Sequence, residues 1–139
     1  MFKKILIGYD GSDGAKKALT KGIEIAKVSG AEIYILSVGR IPEYAEIISE
    51  IEEAKEQAQK FYEKIQKEAY DTANKEGISC KTLIKYGKSG DVIVDTATEI
   101  GADLIIVGVH KHSALKRRLL GATADKVVDN ATCSVLVVK

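Results

Sequence analysis

The chain has 139 residues, 45% of them apolar and 29% charged, and its 21 basic side chains against 20 acidic ones leave a net charge of +1. That length suits one domain, read as residues 1–139, with one hydrophobic core, and the composition belongs to a packed protein and not a disordered one. The near balance of charge excludes a molecule-wide field for non-specific binding to nucleic acid or to an acidic membrane, so any such contact has to be local.

Met1-Phe2-Lys3-Lys4 runs straight into apolar Ile5-Leu6-Ile7, too short for a signal peptide, and no stretch approaches a membrane span. A cytoplasmic location with no membrane partner is the expectation. The first strand is read over Lys4–Tyr9 and ends at Asp10-Gly11-Ser12. A helix follows, with Ala15, Ala18, Leu19, Gly22, Ile23 and Ala26 on one face and Gly30 as its stop. Ala31–Val38 reads as the second strand, and Pro42 marks the next boundary. From Glu43 to Glu76 an apolar stripe runs through Ile51, Ala58, Phe61, Ile65, Ala69 and Ala73. It marks a long amphipathic helix, packed along a sheet in preference to a coiled-coil partner.

Ile78–Ile84 is the third strand, and Gly87-Lys88-Ser89-Gly90-Asp91 leads into a helix bearing Val92, Ile93, Ala97 and Ile100. Gly87-Lys88-Ser89 is not a P-loop, because Thr82 stands where that motif needs a glycine; Ser89 is read as the helix N-cap. Asp103–Gly108 is nearly continuous in apolar residues, as a central parallel strand buried on both faces should be. A basic connection over 109–120 precedes a helix from about Gly121 to Asn130, and Ser134–Val138 closes the chain as the last strand. Strands alternating with helices imply parallel pairing, right-handed crossovers and helices on both faces, which is a doubly wound α/β fold. Ligands of such folds bind beyond the carboxyl ends of the strands, where strand order reverses. That singles out the segments after the first and fourth strands.

The remaining chemistry is sparse. Cys80 and Cys133 lack any CxxC or zinc spacing and read as small buried hydrophobes at strand ends; no metal site is expected. His110 and His112 have no carboxylate partner in their loop, so no catalytic residue is assigned. Lys116-Arg117-Arg118 is a basic patch without interleaved aromatics, read as a solvated face, and nucleic acid is not an expected partner.

After the fourth strand the chain reads Gly108-x2-Lys111-x9-Gly121-Ala122; the first strand ends in Asp10, and the C-terminus reads Cys133-Ser134-Val135-Leu136-Val137-Val138. Over its whole length this resembles the universal stress protein family, whose members carry G-x2-G-x9-G-[S/T] at that place. The resemblance implies a five-stranded parallel sheet of order 3-2-1-4-5, of the adenine nucleotide alpha hydrolase-like kind, and a homodimer formed through Ser134–Val138. It also implies an ATP or AMP site, with Mg²⁺ only if ATP is bound. Asp10 would lie near the adenosine, Val38 would offer main-chain groups to adenine, and Gly108, Gly121, Ala122 and Thr123 would surround phosphates; Tyr9, Gly11, Ser12, His110 and Lys111, in the same two loops, are counted with the nucleotide site. Glycines there let main chain approach an anion aimed at by the N–H groups of the last helix.

Two residues depart from the pattern. Ala122 removes a hydroxyl whose bond to a charged phosphate is worth about 1.5–3 kcal/mol. Lys111 in place of glycine costs roughly 1–2 kcal/mol if that position needs positive φ, while its ammonium could itself bind phosphate. The favoured function is a regulatory module that binds an adenine nucleotide and answers to a regulatory protein partner. A dimeric interaction protein of the same family that has lost the ligand stands second, and a weak ATP hydrolase last, for want of a general base or metal-binding pair.

Overall fold

The computed structural model describes residues 1–41, 47–109 and 121–139. Five strands and four helices alternate: β1 (Lys4–Gly8), α1 (Asp13–Ser29), β2 (Glu32–Gly39), α2 (Ile48–Lys75), β3 (Cys80–Tyr86), α3 (Ser89–Ile100), β4 (Leu104–Gly108), α4 (Ala122–Asn130) and β5 (Ser134–Val138). The strands form one sheet in the order β3-β2-β1-β4-β5, and every neighbouring pair is parallel. This is the adenine nucleotide alpha hydrolase-like arrangement the resemblance implies.

The two faces of the sheet follow from the period-two alternation of strand side chains. Ile5, Ile7, Ile33, Ile35 and Ile106 point to one face and pack on Ala18, Leu19 and Ile23 of α1 and on Ala69 and Ala73 of α2. Leu6, Leu36, Ile105 and Val107 point to the other, against Ile93 and Ala97 of α3 and Ala124 and Val127 of α4. Helices therefore cover both faces, which is why β1 and β4 read as unbroken apolar runs. Each of these isoleucines and leucines contributes roughly 1.5–3 kcal/mol by leaving water. At the amino end of the sheet, Asp103 ties β4 to β1 by accepting the Lys3 and Lys4 main-chain N–H groups at 2.8 and 3.1 Å.

Two elements and the two cysteines differ from expectation. β3 begins at Cys80, two residues later than its apolar pattern suggested, because the Ile78 N–H closes the end of α2 by donating to the Ala73 carbonyl at 3.1 Å. The expected start of α2 at Glu43 lies outside the described residues, and the described helix starts at Ile48. Its stripe is only partly buried: Ala69 and Ala73 are in the core, while Ile47, Ile48 and Phe61 are 55%, 74% and 54% exposed. A helix of 28 residues spans about 42 Å, more than a sheet of short strands can cover. Finally, Cys80 and Cys133 are half-buried, not buried. Burial, then the Glu32 carboxylate, pushes the Cys80 thiol up to about 11; burial, then Asp103, raises Cys133 against an opposing main-chain hydrogen bond.

Candidate functional site

β1 lies between β2 and β4, so the chain leaves it first to one side and later to the other. At that switch point, beyond the carboxyl ends of β1, β2 and β4, opens a cleft of about 390 Å³, within the usual range for small-ligand sites. Its floor is apolar: Leu36, Val38, Ile93, Val107 and Ala124 line it beside Gly8. The lack of a side chain at Gly8 keeps this floor open, for a Cβ there would stand 3.1 Å from the Ile93 Cδ1.

One wall is the turn from β1 into α1, contributing Tyr9, Asp10 and Ser12. Asp10 Oδ1 accepts the Ser12 N–H at 2.9 Å, a turn closed by its own side chain. Ser12 then caps α1 by accepting the Ala15 N–H at 3.2 Å. Val38 sits at the end of β2. The Leu36 carbonyl accepts the Tyr9 N–H at 2.8 Å, so Leu36 faces β1, and Val38, two residues on, turns its main-chain groups to the same side. Arg40 and Tyr62 complete this end of the cleft. Burial, then the Glu68 and Asp10 carboxylates, raises the Tyr9 phenol, and burial followed by Asp10 raises that of Tyr62. Both stay protonated hydrogen-bond donors at neutral pH.

The opposite wall is made of two helix starts. Gly121 is the N-cap residue of α4 and Lys88 that of α3, neither making a side-chain cap hydrogen bond, and Ser89, Gly108, Gly121 and Thr123 line the cleft beside them. Gly90 lets the two helices close together, since a Cβ there would meet the Lys126 side chain, and Lys126 Nζ lies 3.3 Å from Asp91 Oδ1. Two first turns with N–H groups unused by capping side chains present the positive ends of their helix dipoles on this side, with Asp91 and Asp125 also in those turns. The expected capping role of Ser89 is corrected here: Gly87, at φ 137°, turns the chain early enough for Ser89 to enter the helix as its first residue, and its place is on the cleft wall.

Of the residues singled out in the sequence, Tyr9, Asp10, Ser12, Val38, Gly108, Gly121 and Thr123 come together around the cleft. Gly11 packs on Ile65 of α2 instead. Ala122 is exposed and off the cleft wall, while its neighbour Thr123 is on it; the 100° step between successive helical residues decides which one faces the ligand space. His110 and Lys111 lie outside the described residues. Arg40, Tyr62, Ser89 and Ile93 were not anticipated as site residues. Among the described residues no cluster of His, Cys, Asp or Glu could hold a metal ion, and no helix is long and apolar enough to cross a membrane.

Sheet order and cleft together define a doubly wound α/β domain with an open cleft at its switch point. The chain belongs to the universal stress protein family, whose sequence model matches residues 1–139. It is 34% identical over 153 residues to universal stress protein YxiE of Bacillus subtilis, covering 100% of both chains. To universal stress protein MJ0531 of Methanocaldococcus jannaschii it is 36% identical over 147 residues, covering 100% of this chain and 83% of that one. Among solved structures it is similar, with a TM-score of 0.75 and 27% identity over 99% of this chain and 97% of the other, to a universal stress protein in complex with cAMP.

Proposed function

We propose that this protein is a regulatory module that binds an adenine nucleotide, AMP or ATP, in the cleft at the ends of β1, β2 and β4. The observation that carries the reading is the polarity of that cleft: an apolar floor with the outward main chain of Val38 at one end, and two helix starts with Thr123 at the other. The first suits a base and the second a phosphate. The cAMP bound by a structural relative supports the same ligand class. Asp10 holds the β1–α1 turn between the two ends, where a ribose would sit. ATP would bring Mg²⁺ on its own phosphates; AMP would need none.

We further propose that two copies associate through β5. It is an edge strand of the sheet, and its residues Val135, Leu136, Val137 and Val138 are each left only half-buried, which leaves apolar surface for a second copy to cover. Sedimentation of the wild type against Val137→Lys tests this; a monomer in both, or a dimer unmoved by the charge, would remove it.

The nucleotide reading is tested on purified protein by thermal melts with AMP, ATP, cAMP and GTP at millimolar concentration, with calorimetry alongside. A ligand at a hundred times its Kd stabilises the native state by about 2.7 kcal/mol. Adenine nucleotides are expected to raise Tm and GTP to leave it in place. No heat and no shift with any adenine nucleotide would overturn the reading.

A further inference from the structure

The face of α2 that meets the sheet is apolar, with Ile65, Ala69 and Ala73 on it, yet Gln66 lies in its midst only 4% exposed. A buried amide without partners is destabilising, and this one has several. Gln66 Nε2 donates to the Leu83 carbonyl of β3 at 2.7 Å and to Ser37 Oγ of β2 at 2.9 Å, with the Ile35 carbonyl at 3.5 Å. Carbonyl oxygens fix which end of the amide points inward, since its own oxygen in that place would face lone pairs. Ser37, fully buried, passes the chain on: its hydroxyl donates to the Tyr9 carbonyl at 2.6 Å. That carbonyl is the one the next rung of the β1–β2 ladder would use, and it immediately precedes the Asp10-Gly11-Ser12 turn of the cleft.

We infer that Gln66 is a positioning residue for the cleft, acting through Ser37 on the Tyr9 carbonyl to set where β1 ends and where the Asp10 turn stands. Gln66 does not line the cleft; Tyr62, one turn earlier on the same helix, does. The relay therefore ties the base end of the site to α2, so that a displacement of α2 and a displacement of the Asp10 turn are one event. For its effect on affinity the inference rests on the nucleotide reading, but its structural content does not.

The test uses the full chain with three variants. Gln66→Met keeps side-chain length and removes both donors, Ser37→Ala removes the hydroxyl, and Ala73→Gly, on the same face of α2, is a control that perturbs packing without touching the relay. In ligand-free protein, Gln66→Met and Ser37→Ala are expected to shift the amide resonances of Asp10, Gly11, Ser12 and Val38 in the same pattern. The double variant is expected to add nothing further, and Ala73→Gly to leave these signals in place. AMP affinity is expected to fall about tenfold in either relay variant and no more in both together, as for residues that act as one unit. If Gln66→Met fails to fold, the milder Ser37→Ala decides by the same spectra. Unmoved Asp10–Ser12 amides in Gln66→Met or Ser37→Ala would overturn the inference, as would equal shifts in Ala73→Gly. A wild type that binds no AMP would remove the nucleotide reading, and the ligand-free spectra would still decide the relay.

Discussion

Replacing Gly108 by alanine is expected to destabilise the protein in the complete absence of nucleotide. An ideal Cβ on Gly108 would run into the main-chain carbonyl of Gly14 in the first turn of α1, and one on Gly14 would meet the carbonyl of Val109. Main chain cannot swing aside as a flexible side chain can, so α1 would have to lift away from the end of β4. Forcing extra atoms into a packed interior costs about 1–3 kcal/mol, and an obstacle made of main chain puts Gly108→Ala near the upper end, about 3 kcal/mol. For a domain of this size that is a fall in Tm of about 10 °C, or roughly 1.5 M in urea midpoint at a slope of about 2 kcal/mol/M. Urea titration of nucleotide-free protein measures it directly. Gly14→Ala should cost a similar amount, and the double variant less than the sum, because one separation of α1 from β4 makes room for both methyl groups. A Gly108→Ala variant with the wild-type midpoint, impaired only in nucleotide binding, would refute this reasoning and return the glycine to the ligand.

Further perturbations test the site and its surroundings. Gly8→Val places a branched side chain on the cleft floor against Ile93 and Val107; AMP binding is expected to drop at least tenfold while the far-ultraviolet circular dichroism stays native, and unimpaired binding would show that the floor does not hold the base. Thr123→Ala should weaken AMP by about 10- to 100-fold, the worth of one hydroxyl bond to a charged group, whereas Ala122→Ser should leave calorimetric affinity unchanged; a gain in the latter would put residue 122 and not Thr123 at the phosphate. Burial first and Glu32 second push the Cys80 thiol from 9.0 up to about 11, so between those pH values the unfolded chain releases its proton before the folded one does. Stability is therefore full below pH 9 and declines as pH rises towards 11, with Tyr9 and Tyr62, both raised from 10.0, adding to the decline above pH 10. Urea midpoints from pH 8 to 11 should fall for the wild type and fall less for Cys80→Ala; equal slopes would contradict the assignment.

The alternation of periods made the strands and helices legible, and for β1, α1, β4 and β5 the boundaries agree to within a residue or so. Strand order was another matter. Periodicity says nothing about which strands touch, and the order came through likeness to a family. The β1–α1 turn was readable as a site because its residues are contiguous and chemically marked. Tyr62 and Ser89 were not, since only the packing of α2 and α3 on opposite faces of the sheet brings them to one cleft. Ser89 reads as a cap because a serine before a helical pattern is the usual sign of one, whereas the early turn at Gly87 moves the helix start by one residue. Gln66 did leave a signal: an amide in register with Ile65, Ala69 and Ala73, where a helix facing a sheet has every reason to be apolar.

The relation between Gly108 and Gly14 changes what the glycine pattern after β4 means. If Gly108 is required by α1, its presence follows from the fold whether or not a phosphate ever approaches it. The same holds for Gly90, whose bare Cα lets α3 close on Lys126 of α4. These contacts draw the starts of α1, α3 and α4 around the ends of β1 and β4, and a cleft walled by helix starts results from that assembly alone. Side chains added around it then tune what it binds. Ala122 is exposed and off the cleft wall while Thr123 lines it, so on the nucleotide reading the hydroxyl that matters is that of Thr123. The two glycines of this stretch thus answer to the fold in different ways: Gly108 to the close approach of α1, and Gly121 to a main chain at φ 98° where no neighbour would obstruct a side chain.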